Sequence, residues 1–371
     1  MTRPVAPQRL ASLPVLGRQL RGTLFLEHEA RSVLNPPEST GIGCWSFNPY
    51  VGCEFGCSYC YARFAHRYVT ERARDGGLID AATFRNLRGR RGVEGFEKNI
   101  FVKRSESVLR ALEHDLSRIA ARSRGIPAKE TLVIGTATDP YQPAERKYGI
   151  TRAVLQRLRT AFPLRLEIIT KSPLVVRDIP LLCELKQRHR LSVNISIIAA
   201  SRSLIRLFEP RSPMPHARLR ALARLTAAGI NAGVLVAPVL PGITDRVSSL
   251  RKLLEAAKEH GACYARCGPL RLYPAVRPLL LPILERRFPR LADRYRRAYT
   301  GSGAAPPAYA AALKCRFGKI AREVGVPTVD PLDASGWAEF EIQLALPLGQ
   351  SGSRGASGAA ALMPSGASTE R

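Results

Sequence analysis

The stretch Asn48-Pro49-Tyr50-Val51-Gly52-Cys53-Glu54-Phe55-Gly56-Cys57-Ser58-Tyr59-Cys60-Tyr61-Ala62-Arg63 carries three cysteines in the spacing C-x3-C-x2-C. Three thiolates on one tight loop can hold three irons of a 4Fe-4S cluster and leave the fourth iron without a protein ligand, whereas most electron-transfer clusters take four cysteines. An open iron is a place where a small molecule binds, so the spacing points to catalysis rather than electron wiring. Zinc is the alternative. Structural zinc takes four ligands, and Cys44 or His66 can be named as the fourth. Zinc knuckles usually come as two separated C-x2-C pairs, and no second pair follows; Cys263 and Cys267 are separated by Tyr264-Ala265-Arg266.

The rest of the chain frames this loop. Its 371 residues, 45% of them hydrophobic, suffice for one large domain or two ordinary ones. No apolar run approaches the roughly 20 residues of a membrane span. Residues 1–21 are punctuated by Pro and Arg and lack a signal peptide's apolar block. A cytoplasmic protein is therefore expected, in which eight cysteines suggest metal or redox chemistry rather than a disulfide framework. The net charge of +27 attracts polyanions, and nucleic acid is a candidate partner. Arginine supplies 47 of the 57 basic residues, which is also what a GC-rich genome's codon usage produces.

Short β-branched runs at 43–47, 131–137, 166–170, 191–198, 231–239 and 262–272 alternate with amphipathic stretches at 105–122, 151–161, 179–190, 215–228 and 247–260. Near-continuous apolar runs are strands buried on both faces, and alternation of this kind predicts a parallel sheet covered by helices. Six units favour an open α/β partial (β/α)6 barrel; a flat doubly wound sheet has the same periodicity. Helices are expected over 276–288, 291–299 and 307–324 as a C-terminal cap. The expected organisation is a flexible N-terminal arm over 1–28, the barrel over 29–273, a helical region over 274–345, and a disordered Gly/Ser/Ala tail over 346–371.

Distinctive residues follow successive strands. The cysteine loop follows the first, Thr138-Asp139 the second and Lys171 the third; Ser196 and Ala237 lie late in the fourth and fifth. Ligands of α/β barrels and open sheets bind at the carboxyl ends of strands. Asp139 also reads as a turn former before Pro140, Lys171 as a solvated charge, and Ala237 as core packing.

The cysteine spacing, with an aromatic before the third cysteine, resembles the radical S-adenosylmethionine superfamily. The strings NPYVGCEFGCSYCYAR, GTATDPYQPAE, TKSPLVVRD, FEPRSPMPHARLRAL and AGINAGVLVAPVLPGITD are similar to the spore photoproduct lyase-like proteins, often labelled DNA repair photolyases. The later LRLYP and RFPRLADRYRRAYTG extend the likeness, which covers roughly residues 29–326. The resemblance implies a 4Fe-4S cluster on Cys53, Cys57 and Cys60, with S-adenosyl-L-methionine chelated to the open iron. One electron then cleaves the sulfonium to give a 5′-deoxyadenosyl radical, which abstracts hydrogen from a substrate. It further implies that the Tyr59 backbone meets the adenine and that Thr138 and Asp139 receive the methionyl amino group. Lys171 pairs with the carboxylate, Ser196 binds the ribose, and Ala237 packs against the adenine. A reducing flavodoxin or ferredoxin is the implied partner, and a nucleic acid the implied substrate.

One departure limits the reaction. The lyases of that family keep a cysteine shortly before the matching Asp, to return a hydrogen atom; here the position is Thr136, whose O–H bond is far stronger than S–H. Tyr61 is a candidate radical relay, and Cys267, on one face with Cys263 and Ala265, is a candidate donor or ligand. Both are also ordinary packing residues. Arg85–Gly92 reads as a basic loop, and Glu209 and Arg211 as substrate contacts or a helix-end ion pair. The sequence is thus read as a radical S-adenosylmethionine enzyme, lyase-like in family. The alternatives are a non-catalytic zinc- or iron-sulfur-bearing nucleic-acid-binding protein, or the same radical chemistry on a peptide or small metabolite.

Overall fold

Six apolar runs form one parallel array: β1 (Trp45–Phe47), β2 (Thr131–Ile134), β3 (Arg165–Thr170), β4 (Arg190–Ser196), β5 (Asn231–Val239) and β6 (Ala265–Pro269). The computed structural model describes residues 9–10, 13–18, 22–40, 43–89, 92–123 and 131–332. The strands lie side by side in sequence order, with Leu34–Asn35 added antiparallel to β1 at one edge. The sheet does not close, so the expected open partial barrel is the observed architecture. Residues 191–196 of β4 are all buried, as a strand covered on both faces requires.

Each crossover helix turns an apolar stripe onto the sheet. Val247–Glu259 buries Leu250, Leu253, Leu254 and Ala257, the i, i+3, i+4, i+7 positions of one helical face. β2 stops at Ile134, short of the expected 137, because Gly135 takes φ +99°, outside the strand region. At the far edge, the β6 amide of Ala265 donates to the Pro327 carbonyl at 2.8 Å, beyond the C-terminal helix Pro307–Val324. Helices Arg277–Arg287 and Pro289–Ala298 precede it and pack with the cysteine loop's apolar cluster.

Within the span 1–28, expected as a flexible arm, the described residues contribute strands to a second sheet. Leu13–Arg18 and Leu24–His28 are strands, and the latter runs parallel to Asn99–Lys103. Pro14 and Gly17 interrupt the alternation that would have marked the first of them. Leu26, fully buried, anchors a small core with Phe101. Tyr50–Val51 pairs antiparallel with the other edge of Asn99–Lys103 and so fixes the chain just before Cys53. The expected basic loop at 85–92 is also corrected: Ala81–Arg88 is a helix, capped by Asp80, which accepts from the Thr83 amide at 2.7 Å. The Gly/Ser/Ala tail lies outside the described residues. No helix among the described residues is long and apolar enough to cross a membrane.

Candidate active site

The cysteine loop is held by bonds from both sheets and from the β4–β5 crossover. Cys53 N donates to the Phe96 carbonyl at 3.0 Å, and Ser58 N to the Phe208 carbonyl at 2.9 Å. Gly52, at φ +95°, leaves no room for a side chain: a Cβ would lie 2.6 Å from the Phe96 oxygen. Its carbonyl accepts from Thr138 Oγ1 at 2.7 Å and from Gln142 Nε2 at 3.2 Å. The other end of the Gln142 amide accepts from Glu54 N at 2.9 Å. Arg63, buried, donates to the Cys57 carbonyl at 3.1 Å and pairs with Glu97. These bonds leave the loop little freedom.

Cys53, Cys57 and Cys60 line one cavity of about 200 Å³ with Tyr59, Thr138, Asp139, Lys171, Ser196 and Ala237. Every cysteine and cofactor residue expected from the sequence therefore meets in one place, at the carboxyl ends of the barrel strands. Tyr61, Thr136, Cys267 and Arg271 line the same cavity. Its walls are mostly apolar. Burial pushes the Cys57 thiol up to about 12 and raises Cys53 and Cys60 as well. Such thiols release their protons only to a strong competitor, which a metal cluster is. Two buried sulfurs and one half-buried sulfur beside one carboxylate and one ammonium suit an iron-sulfur cluster with an amino-acid ligand. Among the described residues, no three His, Cys, Asp or Glu side chains are grouped to hold a metal ion at one point. His66, the alternative zinc ligand, instead sets Nε2 on the Asn99 carbonyl at 3.1 Å.

Asp139 is a structural hub as well as a cavity wall. It accepts from Thr170 Oγ1 at 2.7 Å, Tyr141 N at 2.9 Å and Lys171 N at 2.7 Å. A carboxylate has about four acceptor sites, so one remains. Burial is the largest influence on it and leaves its pKa above the ordinary carboxylate value. The Thr138 hydroxyl is committed too, donating to Gly52 and accepting from Gln142 at 2.9 Å. Lys171 Nζ donates to Ser196 Oγ at 3.1 Å and lies 5.8 Å from the Tyr59 ring centroid. Burial acts to lower the Lys171 ammonium, but Cys57 and Glu209 outweigh it and hold it above its ordinary value.

Behind the loop lies an ion pair that spacing does not announce. Glu209 and Arg218 are both fully buried and bonded to each other. Tyr59 OH donates to Glu209, Ser212 Oγ donates to Glu209 at 2.6 Å, and Arg218 Nη1 donates to the Ser196 carbonyl at 2.8 Å. The pair thus ties the cysteine loop to the end of β4. Burial would raise the Glu209 carboxyl; Arg218 and Lys171 outweigh it and hold it below its usual range. Of the two residues singled out in this stretch, Glu209 is an ion-pair member, while Arg211 lies on the outer side of the loop against Gly56. Sequence reading missed Arg218, Gln142 and Asn48. Asn48 Oδ1 accepts from Ala137 N at 2.7 Å and its Nδ2 donates to Thr136 Oγ1 at 3.0 Å. Only its position at the end of β1 hinted at this.

In the same cavity, Tyr61 OH donates to the Thr136 carbonyl at 2.5 Å. The Arg271 guanidinium lies 5.8 Å from the Tyr61 ring centroid. Its Nη1 donates to Tyr273 OH at 3.3 Å, while its Nη2 is buried without a hydrogen-bond partner. Cys267 is buried on the same side.

Comparison with known proteins agrees with this geometry. Residues 47–254 match the radical SAM superfamily. An uncharacterized protein of Mycobacterium tuberculosis (strain ATCC 25618 / H37Rv) is 33% identical over 304 residues, 81% of each chain. An uncharacterized protein of Methanocaldococcus jannaschii is 24% identical over 221 residues, 60% of this chain and 70% of that one. Among solved structures, spore photoproduct lyase complexed with dinucleoside spore photoproduct superimposes with a TM-score of 0.56 at 15% identity, over 81% of this chain and 79% of that one. A spore photoproduct lyase variant with bound AdoMet and the same dinucleoside gives 0.51 at 16% identity, over 76% and 74%. At such identities the likeness is one of fold. The match over more than half of its length shows that the chain belongs to the radical SAM superfamily, whose members use a 4Fe-4S cluster and S-adenosylmethionine.

Proposed function

We propose that this radical SAM enzyme carries its cluster on Cys53, Cys57 and Cys60, holds S-adenosylmethionine on the ends of β2 to β5, and takes hydrogen from an anionic substrate, a nucleic acid, at the Tyr61–Arg271 end. The observation that carries the reading is the shared cavity, which is lined by three thiols, Asp139, Lys171, Ser196 and Ala237. When both groups are bound, the cluster supplies one electron to the sulfonium and so a carbon radical at the adenosyl group.

This chain's residues position and shield. The remaining acceptor site of Asp139 takes an ammonium, and Lys171 pairs with a carboxylate. Ser196 and Tyr59, both tied to the Glu209–Arg218 pair, present a fixed wall to the nucleoside. Thr138 contributes by fixing Gly52, the residue before Cys53, rather than by its own free hydroxyl. The apolar walls exclude water, which protects a reactive radical. The unpartnered Arg271 Nη2 supports an anionic group on the substrate, because a buried guanidinium nitrogen without an acceptor is costly. The net charge of +27 supports a polyanion. Thr136 occupies the position of the lyases' cysteine, so dimer splitting with hydrogen return from that position is not proposed; Cys267 and Tyr61 are the candidates for that role.

Anaerobic reconstitution tests the reading. Iron and sulfide of about four each per chain are expected, with reductive formation of 5′-deoxyadenosine. One zinc per chain and no cleavage product would overturn it. Deuterated UV-damaged DNA, undamaged DNA, tRNA and a peptide fraction, added separately, identify the substrate by transfer of deuterium into 5′-deoxyadenosine. Transfer from the peptide fraction alone would remove nucleic acid from the reading.

A further inference from the structure

The cysteine loop has a second side. Glu54 and Phe55, between Cys53 and Cys57, also line an open groove of about 1060 Å³ outside the barrel. Phe55 borders both the groove and the cavity, so the two spaces are separated by the loop itself. Arg146, Arg177, Arg206, Arg211, Arg220 and Arg224 line the groove, and Glu54 is the only carboxylate among its lining residues. Glu54 is occupied, accepting from Ala144 N at 2.6 Å. Arg177 is paired with Glu145 and Asp178. Among the described residues, Arg146, Arg211, Arg220 and Arg224 have no carboxylate partner. Arg211 reaches the loop directly: a Cβ on Gly56 would lie 2.6 Å from its Nη2. A concentration of unpaired guanidinium groups over one groove costs self-repulsion that an acidic partner relieves.

We infer that this groove is the docking surface for the acidic protein that delivers the electron. The inference rests on the assignment of the cluster to Cys53, Cys57 and Cys60. Nucleic acid is the competing occupant, and geometry disfavours it here. Tyr61, Thr136, Ala237, Cys267 and Arg271 line the cavity but not the groove. A substrate hydrogen has to touch the reacting centre, so a substrate in the groove would be on the wrong side of the loop. An electron does not require contact; it crosses packed protein. Phe55, between Cys53 and Cys57, lines both spaces, so a donor seated on the arginines meets the loop that carries the cysteines. In the transfer the donor is oxidised by one electron and the cluster is reduced by one. No atom moves through the wall.

The test uses reconstituted holoprotein and a reduced flavodoxin. Binding is measured by calorimetry over a salt series, beside a nucleic-acid probe (a single-stranded oligodeoxynucleotide). Arg220→Glu/Arg224→Glu reverses two exposed charges on the helix Pro215–Ala227. Arg286→Glu/Arg287→Glu, two exposed charges that line neither the groove nor the cavity, controls for net charge. The groove variant is expected to bind flavodoxin at least about tenfold more weakly, with a shallower salt dependence, and the control within about twofold of the wild type. Cleavage driven by dithionite, a small reductant that needs no dock, should stay unchanged. Equal flavodoxin affinity in both variants overturns the inference. So does a groove variant that loses only oligonucleotide affinity, which would assign the arginines to nucleic acid. Loss of dithionite-driven cleavage in the wild type would instead strike the cluster assignment, so the two failures are distinguishable.

Discussion

The two sides of the cysteine loop have opposite chemistry. The inner side is a mostly apolar cavity in which Lys171 stands beside Ser196 and Asp139 under three donors, while Arg271 Nη2 alone is left without a partner. The outer side is an open groove whose arginines are largely without carboxylates. A few residues of backbone separate them. The contrast suggests a division of labour: the inner side controls atoms, which have to touch and be shielded from water, and the outer side recruits a partner, which needs only long-range attraction. The wall between them is rigid. Gly52, Gln142, Arg63 and the Glu209–Arg218 pair hold it by bonds rather than by apolar packing alone.

Disabling the inner side should leave the outer one intact. Cys57→Ala is expected to lower cofactor cleavage by at least about a thousandfold, with the visible iron-sulfur absorption lost. Flavodoxin affinity should stay within about threefold; a parallel collapse of binding would mean that the groove depends on an assembled cluster. The wall comes next. Arg218→Met leaves Glu209 buried and uncompensated, which costs about 3–5 kcal/mol, measurable by denaturant unfolding. Glu209→Gln/Arg218→Met should recover part of that loss. A single-variant cost below about 1 kcal/mol would show that the pair is not what holds the loop.

Acid should damage both sides together, through a group belonging to neither. His66, packed against Phe96 and Phe101, has its pKa lowered to about 4 by burial. The unfolded chain holds that histidine near 6.5. Between these values the unfolded state binds more protons, so the His66 contribution to stability is full above about pH 6.5 and is lost as pH drops toward 4, by roughly 3 kcal/mol. Unfolding curves from pH 7 to pH 4 check this, and His66→Gln should flatten the acid limb. The smallest effect sharpens the boundary. Gly56→Ala places a side chain at φ +60° and pushes on Arg211. About 1 kcal/mol of stability should be lost, with flavodoxin binding weakened about threefold and dithionite-driven cleavage unchanged. Equal loss in both assays would mean that the loop moves as one piece.

Much of this was legible before any coordinates. The six strands fall within the predicted runs to within a few residues, and the helix Pro307–Val324 has the predicted bounds. The second sheet was not legible. Its strands Leu13–Arg18 and Leu24–His28 are short, broken by Pro14 and Gly17, and stabilised by Asn99–Lys103, far along the chain. Ala81–Arg88 was hidden by its arginines and flanking glycines, though Asp80 caps it in the ordinary way. Thr138 and Asp139 were legible as strand-end residues, but their internal bonds were invisible because Gly52, Gln142 and Thr170 come from three separate segments.

The sequence by itself determined the cysteine loop, the order of the barrel units and the superfamily. Three cysteines within eight consecutive residues cannot be carried far apart, and burial periodicity is written locally along each strand and helix. Only the tertiary structure decided which residues wall the loop and which charges meet. Glu209 finds Arg218 because a crossover returns the chain beneath the loop, and the groove gathers arginines from separated segments between 146 and 224. A charge in a sequence has no neighbours until the fold supplies them; the same +27 could have been spread evenly over the surface.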